Sequence, residues 1–232
     1  MRLRSTAAAA ALTCLLTGSA LSGCAKGDDP PKEVSAQELL DDANKAMGKL
    51  KSVTIEADTT KADGSSGFSS RLTTDLDSTC TSKVTWDATG AVLEQIRIAE
   101  TDYVRPNRAY IENWSGKPMA GAQNIWIKTP ASSAQPGDGL SACPRDFSSF
   151  GTAKKGEPAK VDGTPAIALR VTDKSVKEGA YTFYVATEGE PYILKVVYKG
   201  TDYRTTTTYS GFDKPLDVQA PAKALDASKL GN

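Results

Sequence analysis

From Ser35 onward the chain keeps two hydrophobic rhythms, and the change between them falls at Ser52. Leu39, Leu40, Ala43, Met47 and Leu50 recur at helical spacing and predict one amphipathic helix. Ser35 and Glu38 form an S-x-x-E capping box at its start, with Val34 placed to staple onto Leu39. Asp41 and Asp42 lie near the first turn, and Lys45, Lys49 and Lys51 lie toward the end, an order that suits the helix macrodipole.

After Ser52 the period becomes two. Val53, Ile55 and Ala57 alternate with Thr54, Glu56 and Asp58; Phe68, Leu72 and Leu76 share a parity; Cys80, Val84 and Trp86 share another. The turn "DATG" at 87–90 leads into "AVLEQIRIAETDYVRP", read as one long strand with Val92, Ile96 and Ile98 on its buried face. Asn107 and Arg108 then turn the chain into "AYIENW", and "NIWIKTP" at 124–130 reads as a short strand. Residues 131–158, rich in Ser, Gly and Pro, predict a crossover with one helical turn around Asp146–Phe150. From Val161 alternation resumes in "PAIALRVTD", "AYTFYVATEG", "PYILKVVYKG" and "DYRTTTTYSGF", a meander with Gly-containing turns. The expectation is an α+β fold: a strongly curved antiparallel half-barrel of about 8–11 strands, wrapped over the N-terminal helix and a short crossover helix.

The first residues follow neither rhythm. Arg2 and Arg4 precede an uncharged run from Ser5 to Gly23, dominated by Ala and Leu and broken by Thr13, Thr17, Gly18 and Ser19. A basic start, a short apolar core and small residues before a cut site predict a secretory signal peptide over 1–23, too short in clean apolar length to span a bilayer. The run ends Leu21-Ser22-Gly23-Cys24, which resembles the lipobox of bacterial lipoproteins. That resemblance implies a diacylglyceryl thioether on Cys24, cleavage after Gly23 and acylation of the new terminus with a chain such as palmitate. Two or three acyl chains hold a protein firmly to a bilayer where one does not. Residues 24–34 then form a lipid-anchored tether, and ten polar residues such as 25–34 reach on the order of 18 Å. The domain is expected over 35–222, with a polar tail at 223–232.

Composition narrows the chemistry. Cleavage after residue 23 leaves 209 of the 232 residues, with 26 basic against 28 acidic side chains, a net charge of −2. This balance argues against nucleic acid and gives no polybasic patch for anionic lipid. Histidine is absent, which removes the commonest general base and metal ligand. Besides Cys24, the mature chain holds Cys80 and Cys143, an isolated pair most simply read as a disulfide in an exported protein. Such a bridge contributes on the order of 4 kcal/mol through chain entropy. A reactive thiol pair is the alternative, without a C-x-x-C spacing to support it. No nucleophile elbow, phosphate loop, zincin or EF-hand motif occurs, so neither enzyme activity, a metal site nor a cofactor is expected.

The stretch "VDGTPAIALRV…YTFYVATEGEPYILKVVYKG…TTTTYSGFDKPLDVQAP" resembles the LolA-like superfamily, and within it the actinobacterial LppX/LprG lipoproteins. The matching positions are Gly163, Gly189, Pro191, Lys195, Phe212, Pro215 and Pro221, together with the S-x-x-E-L-L-x-x-A helix at 35–43. Residues 60–158 match poorly, and the Cys80–Cys143 pair is not a mark of the group. The resemblance implies a half-barrel with an apolar concave face that binds or carries a lipid or glycolipid-like envelope molecule. The chain would then be a monomer on the outer face of an actinobacterial cytoplasmic membrane. Phe68, Leu72, Val84, Trp86, Ile96 and Ile98 would line the cavity from the first strands, and Tyr181, Phe183 and Val185 from the meander. The alternative from a different class is a surface sensor or protein-interaction module without a transported ligand.

Overall fold

The computed structural model describes residues 34–115, 123–133, 139–149, 151–173 and 178–229. The helical rhythm forms α1, Ala36–Met47. Its capping box is closed from both sides: the Ser35 hydroxyl accepts from the Glu38 N–H at 3.2 Å, and the Glu38 carboxylate accepts from the Ser35 N–H at 2.8 Å. Leu40, Ala43 and Met47 on one stripe are fully buried, so the helix is held by tertiary packing on its apolar face. No helix among the described residues is long and apolar enough to cross a membrane.

The period-two segments form one sheet of twelve strands among the described residues: β1 (Val53–Lys61), β2 (Gly67–Thr74), β3 (Thr79–Trp86), β4 (Ala91–Ile98), β5 (Thr101–Pro106), β6 (Ile127–Pro130), β7 (Thr152–Val161), β8 (Thr164–Thr172), β9 (Gly179–Ala186), β10 (Ile193–Gly200), β11 (Tyr203–Ser210) and β12 (Leu225–Asp226). Their order is β12-β6-β5-β4-β3-β2-β1-β11-β10-β9-β8-β7. Two sequential meanders thus meet where β1 pairs antiparallel with β11, from Thr54↔Ser210 to Lys61↔Tyr203. Only β12 runs parallel, beside β6, and it falls within the stretch expected as polar tail. The sheet ends at β7 on the other side. That edge strand carries Lys154, Lys155, Lys160 and Pro158, with a register shift between Lys155 and Pro158.

Four details differ from the sequence expectation. The long strand at 91–106 is a hairpin, β4 and β5, turning at Ala99-Glu100 with Ala99 in the left-handed region (φ 51°). No Gly or Asn marks that turn, so periodicity alone ran through it. "AYIENW" lies within a second helix, α2 (Arg108–Ser115). Asn107 caps it, its Oδ1 accepting from the Tyr110 N–H at 2.8 Å. The crossover turns helical at Gly139–Ala142, as a 3-10 turn, and not around 146–150, where residues 146–149 lack helix. Finally, β7 begins at Thr152, inside the stretch expected to be loop. Its half-buried positions are the small residues Ala153, Gly156 and Ala159, and only Val161 at its end is a buried larger side chain, so no hydrophobic alternation marks it.

Register assigns the faces. One row of inward neighbours runs Ala153, Val171, Tyr181, Tyr198, Thr205, Thr59, Phe68, Trp86 and Ala91 across nine strands, from β7 to β4. The Thr59 and Thr205 hydroxyls of that row are 3.0 Å apart. Helix α1 lies over β7, β9 and β10, where Leu40, Met47, Leu169, Val171, Val185 and Ile193 form the main core. The inner face of β1–β4 has no α1 above it.

Candidate functional site

Over that uncovered half lies a cavity of about 750 Å³. Its floor is sheet: Ile55 and Ala57 from β1, Phe68, Ser70 and Leu72 from β2, Ser82, Val84 and Trp86 from β3, Leu93 and Gln95 from β4, and Thr207 from β11. These are the inward positions of each strand, so one parity choice per strand builds the whole floor. One wall is α2, through Tyr110 and Trp114; the other is the crossover, through Gly139, Ser141, Ala142 and Arg145.

Each wall is fixed by a separate device. Asn107 ties α2 to the β4 hairpin: beyond its cap, Oδ1 accepts from the Val92 N–H at 3.0 Å and Nδ2 donates to the Gly90 carbonyl at 2.8 Å. Trp86, Tyr110 and Trp114 then stack together, with ring centroids 5.6, 4.7 and 4.6 Å apart. The crossover is bound to β3 by the Cys80–Cys143 disulfide, both residues wholly buried. Thr74 Oγ1 donates to the Cys143 carbonyl at 2.7 Å, and Arg97 Nη1 donates to the Leu140 carbonyl at 3.2 Å. Gly139 lies so close to the floor that a Cβ there would stand 2.6 Å from Gln95 Oε1 and from Ser82 Oγ.

The cavity is therefore mixed in character: an apolar and aromatic base with hydroxyls, an amide and one cation. Among the described lining residues Arg145 is the only charged side chain. The burial of the Tyr209 phenol raises its pKa against the opposing pull of the nearby Arg145 guanidinium. Tyr209 also meets Phe147 edge-on at 5.9 Å.

Of the residues expected to line a cavity, Phe68, Leu72, Val84 and Trp86 are brought together here. Tyr181, Phe183 and Val185 do face inward, but on the half that α1 fills, where they belong to or pack against the main core. Ile96 and Ile98 point the other way. The inward set of β4 is Ala91, Leu93, Gln95 and Arg97, and Arg97 pairs there with Asp102. An apolar-face rule cannot find that set, because two of its four members are polar. Tyr110, Trp114, Gln95 and Arg145 were missed; the signal for the first two was an Asn at the N-cap position followed by Arg108 and Glu112 at i,i+4 spacing. Cys24 lies outside the described residues.

An open half-barrel, one half plugged by a helix and the other roofed around a cavity, is the class of molecule defined by this geometry. No family model and no curated protein matches the sequence. Solved structures do share the fold. LprF from Mycobacterium bovis superposes with a TM-score of 0.54 at 13% identity, over 81% of this chain and 97% of that one. The Mycobacterium tuberculosis lipoprotein LppX gives 0.52 at 15% identity, over 80% and 100%. A LolA superfamily protein from Nitrosomonas europaea gives 0.34 at 12% identity, over 80% and 96%.

Proposed function

We propose that this chain is an exported, lipid-anchored envelope protein that binds or carries a hydrophobic molecule of lipid or glycolipid type in the β1–β4 cavity. The observation that carries the reading is the cavity itself. Its volume lies in the range of pockets that enclose small ligands, and its base is apolar with a few polar groups set around it. Phe68, Leu72, Val84, Leu93 and Trp86 would take the apolar body, while Ser70, Ser141, Thr207 and Arg145 stand ready for a head group. The shared fold with LprF and the lipoprotein LppX supports the reading, as does the Leu-Ser-Gly-Cys24 motif at the end of the apolar leader. In this reading residues 1–23 are removed on export, Cys24 carries the acyl chains and 25–34 tether the domain.

The test is mass spectrometry of the protein exported and processed by a bacterial host. A mass lost between native and denaturing spectra, several hundred daltons and extractable into organic solvent, is the cargo. A mass retained on denaturation and absent in Cys24→Ala is the anchor. A native spectrum that shows no releasable mass, even after incubation with total envelope lipid, would overturn the carrier reading in favour of a protein-interaction module.

A further inference from the structure

Five large hydrophobic side chains are exposed among the described residues: Val34, Phe68, Trp114, Tyr203 and Leu225. The first four gather at one end of the strands, the end where β1 and β3 finish and β2, β4, β9 and β11 begin. Phe68 pairs with Trp86 and with Thr59 in the inward row. Tyr203 pairs with Lys61, the last residue of β1. Trp114 reaches the same place from α2 by stacking on Trp86. Behind them the row continues through Tyr198 and Tyr181, whose centroids are 4.8 Å apart, and Tyr198 lies 5.2 Å from Tyr203.

This aromatic edge frames the cavity, since Phe68, Trp86 and Trp114 also line it. The chain enters the domain at the same end. Gln37, in the first turn of α1, accepts from the Ala153 N–H of β7, and Ala153 belongs to the same cross-strand row. Val34, just before the helix, is exposed there, and only nine residues separate it from Cys24. Trp and Tyr, amphipathic rings with one polar atom, are the residues that settle at the level of lipid head groups. The charges around them are mixed, with Lys61 and Arg204 beside Asp202 and Glu178, so attraction to anionic lipid is not what the edge offers.

We infer that the Phe68–Trp114–Tyr203 edge is a membrane-docking face, which seats the mouth of the cavity in the interface of the bilayer. The inference rests on the anchored-carrier reading, and it adds an orientation: mouth toward the lipid, α1 C-terminus and the β10–β11 ends near Asp213 away from it. A hydrophobic molecule could then pass between bilayer and cavity without crossing water. Seating by insertion of rings, with little help from charge, also sets its salt response. Raising ionic strength leaves it in place.

Indole emission is the reporter, read in a Trp126→Phe background so that it comes from Trp86 and Trp114 at the edge. The exported protein is reconstituted in phosphatidylcholine vesicles whose acyl chains carry bromine, a short-range quencher of indole emission. Emission should fall relative to plain phosphatidylcholine vesicles, and equally at low and high salt. Tyr203→Asp, on β11 and outside the cavity lining, should cut the quenching by at least about threefold, as expected when a charge replaces one ring of an apolar face that binds as a unit. Phe68→Asp provides a second, independent variant, and circular dichroism checks that each is folded. Absent quenching in the Trp126→Phe background, or quenching unchanged in both folded variants, overturns the inference. Acyl mass on Cys24 is read separately. If the chain carries none, the anchor reading falls, while sedimentation of the same chain with the vesicles, weakened by Tyr203→Asp, still upholds docking, and its absence overturns it.

Discussion

Arg97 and Asp102 meet across the β4–β5 ladder in a two-bond pair, Nε to Oδ1 at 2.7 Å and Nη2 to Oδ2 at 2.8 Å. Only 13% and 2% of their side chains remain accessible to water. The third arm of the guanidinium holds the Leu140 carbonyl, so the pair fixes the crossover wall of the cavity as well as the hairpin. Charges this far from water are tolerated only while both partners stay. Asp102→Asn should therefore lower unfolding free energy in urea by about 3–5 kcal/mol, because it strands the guanidinium. The double variant Arg97→Met/Asp102→Leu should recover much of that loss; a double variant no better than the single one would show that stranded charge is not the cause.

The disulfide acts on the same wall from the other side. Cys80→Ala/Cys143→Ala releases the crossover and opens, in the unfolded chain, the loop that the bridge closes over a sequence separation of 63. A stability loss of about 4 kcal/mol is expected from chain entropy. Denaturation curves of the wild type with and without a thiol reductant should differ by a similar amount, and the double variant should be insensitive to the reductant.

Gly139 is a contact glycine. Gly139→Ala pushes a methyl against Gln95 and Ser82, which should cost about 1–3 kcal/mol by overpacking and displace the wall. Gly163 provides the contrast: its φ is 84°, but nothing lies within 4 Å of an added Cβ. Gly163→Ala should cost about 1–3 kcal/mol through backbone strain alone. Releasable cargo in native mass spectra should drop for the first variant and stay unchanged for the second.

Alkali should act through Tyr209. Burial raises its phenol above the ordinary value near 10, so above that pH the unfolded chain gives up a proton that the folded chain keeps. The folded state then binds more protons, and stability falls as pH rises. Below pH 10 this contribution is fully present. Tyr192 and Tyr198 shift in the same direction, also by burial first. Urea midpoints from pH 9 to 11.5 should decline, and Tyr209→Phe should make the decline shallower; an unchanged slope would count against the buried phenol.

How far the sequence could be read depended on how one-sided each segment is. Helix α1 announces itself through its capping box and a stripe of Leu40, Ala43 and Met47, because one face is buried and the other wet. The inward parity of β1, β2, β3 and β9 is equally plain, with Ile55, Leu72, Val84 and Phe183 all facing in. The pattern failed on β4, where Gln95 and Arg97 face inward and Ile96 and Ile98 outward, since polar groups build the wall of the site. It failed again on β7, whose half-buried positions are small residues, Ala153, Gly156 and Ala159, that leave no apolar signal. Apolar alternation named four residues of the cavity, Phe68, Leu72, Val84 and Trp86. The walls are supplied by α2 and by the crossover with Gly139 and Arg145, whose places depend on contacts between residues far apart in the chain.

The lysines and the proline of β7 have a meaning beyond this molecule's own stability. An open sheet ends in unpaired N–H and C=O groups, which are a template for the next strand of any neighbour. Wherever copies of the protein crowd together, identical edges would meet often. The register shift between Lys155 and Pro158 bends that edge out of line, and Pro158 removes a donor from it. Lys154, Lys155 and Lys160 add like charge along the same strand. A sheet that ends openly at β7 is thereby kept from growing, copy by copy, into a fibre.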